Sequence, residues 1–441
     1  MLRKIAILYI IMMISFIWGI AASQFHIFPW GIVGSTVEEL YEYLTFQVGN
    51  EKSIVNRLTL KHQEFKTALK TGGFIRKDLH FNDTGYLLIS RFSRQFDQVV
   101  IELFDIANEK IIHRWMPNID KIFKLKPLIQ KQYKTPSAYR VQHPLLLQNG
   151  DIIFSSGEGP LIRINTAGDP VWINEGHFHH SIELDANGNI VVPVVVTHNY
   201  ETNNPIPFRD DGFAIVDTGG NVLGVYSIAD FLITNGYRGL LYGVGEFQWD
   251  RIHLNDVQPI KKNIGDLSRG DIAWSSRHLS AVGVFRPSTG KMLWIKVGPW
   301  LAQHDINLLD DGTFSIFGND IGRINPDNPL VRENGLPVEP WINESKTSDI
   351  YIYDPSSSKV TTPFTSMMVK HRIGTKSSGR ARILKNGDVY IEETDKGRLI
   401  RISKDKIRWQ YVNLQSENTI GALHWSRYLY QNEVNLSWKR N

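Results

Sequence analysis

Two stretches of the sequence decide the fold, NGDIIFSSGEGPLIRINTAGDPVW (residues 149–172) and NGDVYIEETDKGRLIRISKDKIRW (residues 386–409). Each begins with an Asn-Gly turn, continues through two strand-like runs and a polar turn, and ends at a tryptophan. The distance from the glycine to the final tryptophan is 22 residues in both. Asn-Gly pairs suit two-residue hairpin turns, because these residues tolerate the positive φ that the turn requires. The unit is therefore predicted to consist of strands joined by tight turns.

Looser copies of this unit occur along much of the remaining chain. Two of them span residues 85–115 and 270–294, and Asn187-Gly188 and Asp311-Gly312 open two more. Strand-only repeats of about 40–50 residues are typical of a β-propeller, in which each repeat forms one four-stranded blade. A pair of β-sandwiches is the alternative, but it does not explain the constant distance from glycine to tryptophan.

We therefore predict an all-β fold, a six-bladed β-propeller over residues 73–441. The C-terminal strands are expected to close the ring against the first blade, and Trp172, Trp294 and Trp409 to pack between blades. The predicted blades lie near residues 75–120, 140–175, 177–230, 238–300, 304–360 and 375–412.

The N-terminus carries an uncharged apolar run of 18 residues, 5–22, directly after Arg3 and Lys4. A bilayer-spanning helix needs about 20 residues and a signal-peptide core about 7–15. Residues 1–34 are therefore predicted to be an uncleaved signal anchor, with cleavage near Ala21-Ala22-Ser23 as the alternative. Cations before the run and acidic residues after it favour export of the chain. The expected location is the periplasmic side of the inner membrane.

Residues 35–72 are predicted to form a helical stalk between this anchor and the propeller. Ser35 with Glu38 fits a capping box, and apolar residues such as Leu40 and Leu44 follow a helical period. Gly72-Gly73 is expected to end the helix.

Composition excludes several kinds of function. The 49 basic residues exceed the 45 acidic ones by only four, and no basic block stands out, so a nucleic-acid partner is not expected. The chain has no cysteine, which excludes a disulfide framework, a thiol nucleophile and thiolate metal sites. Nucleotide-binding and serine-hydrolase motifs are also absent.

The histidines are concentrated at predicted strand starts. They lie in HFHHSIELDANGN (residues 177–189), RIHLNDV (residues 251–257) and WLAQHDINLLDDGT (residues 300–313), and Arg277 lies in IAWSSRHLSAV. The innermost strands of a propeller converge on its central channel, so these side chains can meet there. Together they would form a cationic pocket suited to a tetrahedral oxyanion. Other interpretations are turn or cap residues, a metal site at HFHH, and an ordinary ion pair for Arg277.

The ordered motifs HHS…NGN, H-L-N, S-S-R-H and Q-H-D…DGT-F-S-I-F-G-N-D resemble the arylsulfate sulfotransferase family, over about residues 140–430. The resemblance implies a six-bladed propeller with its active site at the central channel. It also implies transfer of a sulfuryl group from an aryl sulfate donor to a phenolic acceptor through a sulfated histidine. The nucleotide donor PAPS is not used, and the scheme requires no metal or organic cofactor.

By this resemblance His304 is the nucleophile, His253 and Asn255 form the H-x-N pair, and Arg277 holds charge on the sulfuryl oxygens. His180 corresponds to the HHD histidine, and His179 lies beside it in the substrate-binding group. His253 or His180 is expected to exchange the proton of the phenol.

The sequence departs from the family at two places. Ser181 stands where an acidic residue is common, which leaves the orientation of His180 open. Some members of the family have an N-terminal β-sandwich domain. In this chain the predicted anchor and stalk occupy the corresponding part of the sequence. Phe178, Trp249 and Trp300 are candidates for stacking an aryl ring, with core packing as the alternative for each.

Two other functions remain as alternatives. One is a non-catalytic extracytoplasmic propeller that binds a partner or ligand. The other is a metal- or quinone-dependent propeller enzyme, because TAGDPVW and STGKMLW are similar to the tryptophan-docking repeats of quinone-dependent dehydrogenases. The sequence shows no equivalent of the calcium-binding carboxylates of those enzymes.

Overall fold

The structure is a computed structural model that describes residues 64–66, 70–127, 129, 135–196, 208–243, 249–323, 341–342 and 347–439. The predicted anchor, residues 1–34, lies outside this part of the chain, as does most of the predicted stalk, residues 35–72. The described end of the stalk is not helical, since Glu64–Lys66 forms a short strand. Among the described residues, no helix combines the length and the apolar character needed to cross a bilayer.

The described chain is built mainly of strands. The first half contains β1 Glu64–Lys66, β2 Gly73–Arg76, β3 Tyr86–Ser93, β4 Gln98–Asp105, β5 Lys110–Trp115, β6 Gln142–Leu146, β7 Ile152–Ser155, β8 Gly159–Ile164, β9 Pro170–Phe178, β10 Glu183–Leu184, β11 Ile190–Val195, β12 Asp211–Val216 and β13 Val222–Ser227. The second half contains β14 Leu254–Pro259, β15 Ile272–Ser276, β16 Ala281–Arg286, β17 Lys291–Val297, β18 Asp305–Leu308, β19 Phe314–Gly318, β20 Gly322–Arg323, β21 Trp341–Ile342, β22 Asp349–Asp354, β23 Lys359–Thr361, β24 Arg380–Ile383, β25 Val389–Glu393, β26 Arg398–Ile402, β27 Ile407–Val412, β28 Leu414–Ser416, β29 Thr419–Gly421 and β30 Arg427–Leu429.

The described part of the chain has four short α-helices between its strands: α1 Ile119–Leu125, α2 Ile228–Thr234, α3 Arg238–Tyr242 and α4 Thr365–Lys370. Side-chain caps begin two of them, because Asn118 accepts a hydrogen bond from the Lys121 amide and Ser227 one from the Asp230 amide.

The fold is all-β and propeller-like, with four separate antiparallel sheets that have the form of a blade. Their strand orders are β30-β3-β4-β5, β14-β15-β16-β17, β18-β19-β22-β23 and β2-β27-β26-β25-β24. The prediction of six separate blades is wrong. The segments predicted as the second and third blades, 140–175 and 177–230, lie in a single eight-stranded sheet. The two segments are joined because β9 continues as far as Phe178, which pairs with Val194 of β11.

The chain ends close the fold in two places. β2 is added to the outer edge of the last sheet beside β27, and β30 is added to the first sheet beside β3. Asp83 connects these sheets, since its carboxylate accepts hydrogen bonds from Arg401, Trp409 and the Tyr428 hydroxyl at 2.6, 2.7 and 2.9 Å. C-terminal closure against the first sheet, which the sequence predicted, is therefore observed.

The repeated stretches share one set of polar contacts, which we call the outer frame: the pairs Asp151–Arg163 and Asp388–Arg401 with Trp172 and Trp409. Each aspartate follows an Asn-Gly turn in which Gly150 or Gly387 has positive φ, and it binds the arginine of a neighbouring strand at 2.7 or 3.0 Å. The Trp172 indole donates to the carbonyl oxygen of Thr218 at 3.0 Å, and the ring of Trp294 packs on Phe314 and Tyr353 of the following sheet. The predicted packing between sheets is confirmed for Trp294 and for Trp409, which shares a core cluster with Leu87 and Phe104 of the first sheet. Trp172 instead contacts a turn of its own eight-stranded sheet.

The hydrophobic core lies between neighbouring sheets. One cluster combines residues of the sheet that ends at β13 with residues of β14–β16, among them Phe213, Trp274 and Phe285. β7 and β25 are buried along their whole length. The two glutamates of β25 are paired, because Glu392 accepts hydrogen bonds from two backbone amides and Glu393 binds Arg398. The first strands of successive sheets contact one another, as β14 contacts β18 and β18 contacts β24, so they form the centre of the fold.

Candidate functional site

The residues just before these central strands share an unusual backbone conformation. φ is positive, between +48° and +57°, at six of them, which are His143, His180, His253, Ala302, Ser378 and Trp425. Non-glycine residues adopt this left-handed region rarely, and it is often found at functional sites. Two of the predicted catalytic histidines, His180 and His253, are in this group.

The structure brings together three predicted catalytic residues, His180, His253 and His304, which we call the histidine cluster. The ring centroids of His180 and His253 are 5.2 Å apart, and those of His180 and His304 are 6.4 Å apart. One ring nitrogen of each of the three lies within 4.8 Å of the other two. Residues that are more than 120 positions apart in the sequence thus share one site.

His304 is buried, and its protonation pattern follows from its partners. Its Nδ1 lies 2.5 Å from Asn319 Oδ1 and 3.2 Å from the carbonyl oxygen of Ala302, so Nδ1 is the nitrogen that carries the proton. The side-chain amide of Asn319 is itself fixed, because its Nδ2 donates to the carbonyl oxygens of Thr375 and Ser378 at 2.9 Å. Nε2 of His304 then keeps its lone pair, toward which the Ser378 amide donates at 3.2 Å.

The pKa of His304 favours the neutral imidazole. Burial and the positive charge of Arg277 hold this pKa well below the usual value for histidine, against a smaller opposing effect of Asn319. The Nε2 lone pair is therefore available at neutral pH.

His253 is held by a carboxylate. Its Nδ1 lies 2.5 Å from Oδ2 of Asp250, and Asp250 also accepts a hydrogen bond from His278 through its backbone carbonyl. Burial by itself raises the pKa of Asp250, but His253 and Arg209 together outweigh it and hold that pKa well below the usual range. An ionised Asp250 thus fixes the ring of His253 and favours its Nε2 as the nitrogen that faces a ligand.

Arg277 is buried, and its positive charge acts on His304. Its backbone amide donates to the carbonyl oxygen of His253 at 3.0 Å, and its Nη1 lies 3.0 Å from Nε2 of His278. His278 can accept this hydrogen bond because burial, followed by the charge of His253, lowers its pKa to about 4. The sequence analysis did not identify His278 as a partner of Arg277.

The orientation of His180, which the sequence left open, depends on His179. The Nδ1 atoms of the two rings are 2.8 Å apart, and His179 Nε2 lies 3.5 Å from Oδ1 of Asp211. Arg209 in turn donates to Asp211 at 2.9 Å. Ser181 accepts a hydrogen bond from the Val257 amide at 2.9 Å and so connects the segment after His180 to β14.

Asn255 lies behind the histidine cluster. Its Nδ2 donates to the carbonyl oxygen of Gln303 at 2.6 Å, next to His304 in the sequence. Its Oδ1 is buried and has no hydrogen-bond partner among the described residues. Asn255 therefore positions the segment that carries His304 and leaves one acceptor for a ligand.

One family of known proteins matches the part of the chain that contains this site. The sequence model of the arylsulfotransferase (ASST) family matches residues 143–414, more than half of the chain. The chain belongs to the arylsulfotransferase family. The match begins at His143 and includes the complete histidine cluster.

Several solved structures are similar to this member of the arylsulfotransferase family, but only distantly. A protein of unknown function from Bacteroides caccae is 14% identical with a TM-score of 0.43, covering 79% of this chain and 99% of that one. A functionally unknown protein from Desulfotomaculum acetoxidans is 12% identical with a TM-score of 0.40, covering 79% and 99%. The β-propeller domain of Cps50 (Swd1) from Myceliophteria thermophila is 8% identical with a TM-score of 0.39, covering 81% and 90%. No curated protein matches the chain.

Two of the three predicted aryl-stacking residues belong to the hydrophobic core of this family member. Phe178 and Trp300 are each 1% exposed and belong to hydrophobic core clusters, where Trp300 packs on Tyr351 and Tyr353. Trp249 is 60% exposed. Core packing, the alternative given for each, is correct for Phe178 and Trp300, because their ring faces are already covered.

Two other residues of the site were missed. The rings of His143 and Trp425 stack at 4.5 Å, and Trp425 lies 5.7 Å from His180 in an edge-to-face arrangement. Both ring nitrogens of His143 are buried without a hydrogen-bond partner among the described residues. A signal for His143 existed in the sequence. It precedes Asn149-Gly150 by six residues, much as His180 precedes Asn187-Gly188 by seven.

Proposed function

We propose that the protein transfers a sulfuryl group from an aryl sulfate to a phenolic acceptor through a sulfated His304. The hydrogen-bond pattern of His304 carries this proposal. Its Nδ1–H donates hydrogen bonds to Asn319 Oδ1 and to the carbonyl oxygen of Ala302. The unprotonated Nε2 is therefore the nitrogen that can act as the nucleophile.

In the first half-reaction, Nε2 of His304 attacks the sulfur atom and the bond between sulfur and the aryl oxygen breaks. The electron pair of that bond goes to the phenolate oxygen, and His253 or His180 gives it a proton. The product is a sulfuryl group bound to Nε2, and Asn319 supports the positive charge that develops on the ring through Nδ1–H. In the second half-reaction, the acceptor phenol gives its proton to the histidine that protonated the first phenolate, and its oxygen attacks sulfur. The bond between sulfur and Nε2 breaks, and its electron pair returns to Nε2 of His304.

Charge on the three sulfuryl oxygens has to be held by fixed donors throughout the transfer. Arg277 supplies a full positive charge beside His304, and His278 fixes its guanidinium. Donors held before the reaction act strongly because they need no reorganisation in the transition state.

The location of the enzyme is a further part of the proposal and rests on the sequence. The apolar run at 5–22 would anchor the chain in a membrane, with the propeller on the extracytoplasmic side. Protease added to intact spheroplasts is expected to digest the propeller. Complete protection of the propeller would exclude this topology.

A two-substrate assay tests the reaction. With 4-nitrophenyl sulfate as donor, we expect release of 4-nitrophenol to depend on an added phenol, and the sulfated phenol to form in equal amount. His304→Ala should abolish both products. His177→Ala is the matched control, because His177 is an exposed histidine of the same segment and should retain full turnover. Undiminished transfer by His304→Ala would refute the proposal.

A further inference from the structure

The histidine cluster has a feature that sulfuryl transfer does not require. One nitrogen from each of its three imidazoles lies within 4.8 Å of one nitrogen of each of the other two. In each ring the other nitrogen, Nδ1, is already bound by the protein: by His179 for His180, by Asp250 for His253 and by Asn319 for His304. Nε2 is therefore the nitrogen that each ring offers to a ligand.

This is the arrangement of a three-histidine metal centre. Imidazole suits Zn²⁺ and its neighbours among the transition metals, and metal-bound histidines usually place their second nitrogen against a carboxylate, a carbonyl or another polar group. We propose that the histidine cluster binds one divalent transition-metal ion, such as Zn²⁺, through Nε2 of His180, His253 and His304.

Binding of a metal ion would require the three imidazole rings to move closer together. Zinc–nitrogen bonds are about 2.0–2.1 Å long, so the rings would have to close in by about 1 Å at most around a tetrahedral ion. The Ser378 amide, which lies 3.2 Å from Nε2 of His304, would lose that contact. At this distance the contact is at the long end of the hydrogen-bond range and weak.

The charges around the cluster determine the fourth ligand. Asp250 provides a negative charge behind His253, whereas Arg277 places a positive charge beside His304. A cation at the cluster therefore needs an anion on the side of Arg277, such as chloride or sulfate. Because this is also the side on which the sulfuryl group would be held, the ion is expected to block transfer rather than to assist it.

Direct binding to the full chain without an aryl sulfate tests the site independently of any activity. By calorimetry with ZnCl₂ we expect one ion per chain, and with Co²⁺ the visible absorption of a four-coordinate complex. His180→Ala and His304→Ala should each remove the binding, whereas His177→Ala should keep it. Asp250→Asn retains all three ligands and should weaken the affinity by about 10–100-fold.

A binding constant that is unchanged in His180→Ala and His304→Ala would overturn the proposal, as would the absence of saturable binding to the wild-type protein. Asp250→Asn gives the answer if an alanine variant does not fold, because an affinity equal to that of the wild type would also contradict the site.

The inhibitory effect rests on the proposed function and has its own readout. Zn²⁺ should raise the KM for 4-nitrophenyl sulfate, leave kcat unchanged, and be reversed by EDTA. Zinc binding without any sulfuryl transfer would refute only the proposed function. Transfer without zinc binding would refute only the metal site.

Discussion

The outer frame and the histidine cluster are built in opposite ways. In the outer frame the same contact recurs, since Asp151–Arg163 and Asp388–Arg401 are equivalent ion pairs at equivalent turns. In the histidine cluster every ring has a different partner, namely His179, Asp250 or Asn319. Repetition therefore stabilises the fold, whereas the differences between central strands give each histidine its own hydrogen-bond partner.

The first prediction concerns the outer frame. Trp409 is completely buried and its indole donates to Asp83, whereas Trp172 is partly exposed and donates to a backbone carbonyl. Trp409→Ala should therefore lower the free energy of unfolding by about 3–5 kcal/mol, as large-to-small core substitutions do. Trp172→Ala, the matched control, should cost about 1–2 kcal/mol. Denaturant titration measures both, and equal losses would show that the two units contribute equally.

The second prediction concerns the charge beside the nucleophile. Arg277→Ala should slow both half-reactions by roughly 10²–10³-fold, the usual cost of removing one fixed donor to a developing anion. His304 remains in this variant, so a slow sulfated intermediate should still form. Rapid-quench measurements of each half-reaction check this, with His177→Ala as the control. An effect on only one half-reaction would mean that Arg277 does not hold the sulfuryl group itself.

The third prediction concerns pH. The pKa of His278 is about 4 in the folded protein and about 6.5 in the unfolded chain, so the unfolded chain binds a proton first as the pH falls. The unfolding free energy of the wild type minus that of His278→Gln should be largest above pH 6.5 and should fall between about pH 6.5 and 4. The difference should shrink by up to about 3 kcal/mol over this range. Parallel curves of unfolding free energy against pH for the two proteins would contradict it.

The fourth and smallest effect concerns proton transfer. His253→Ala should lose about 10²-fold with aryl sulfates whose phenols have a high pKa, because those phenolates need a proton to leave. With 4-nitrophenyl sulfate the loss should be several-fold smaller, since this phenolate leaves without help. A series of donors with graded phenol pKa gives the slope of the logarithm of the rate against that pKa. A slope equal to that of wild type would assign the proton to His180 instead.

The sequence predicted the parts of the molecule that repeat. The distance from Gly387 to Trp409 identified the strand units, because each unit meets the same packing requirement and so uses the same residues. The number of separate blades could not be predicted in this way. The pairing of Phe178 with Val194 merges two units, and it depends on how far β9 extends.

For the site, the motifs identified His180, His253, Arg277 and His304, but not the residues that position them. Asp211 lies in another segment and reaches His179 only through the fold. Asn319 follows the β18–β19 hairpin that begins after His304, and the hairpin brings its side chain back to that histidine. Phe178 and Trp300 were misjudged as possible aryl-binding residues because sequence proximity to a histidine does not show which face of a strand a ring occupies. Trp425 lies near His180 only because the C-terminal strand closes the fold.

The central claim is that His304 accepts the sulfuryl group. After brief incubation with 4-nitrophenyl sulfate and no acceptor, intact-protein mass spectrometry should show one added mass of about 80 Da, and peptide mapping should place it on His304. Addition of a phenol should remove it. An adduct on another residue, or continued transfer with no adduct at any time in a rapid-quench series, would contradict the account.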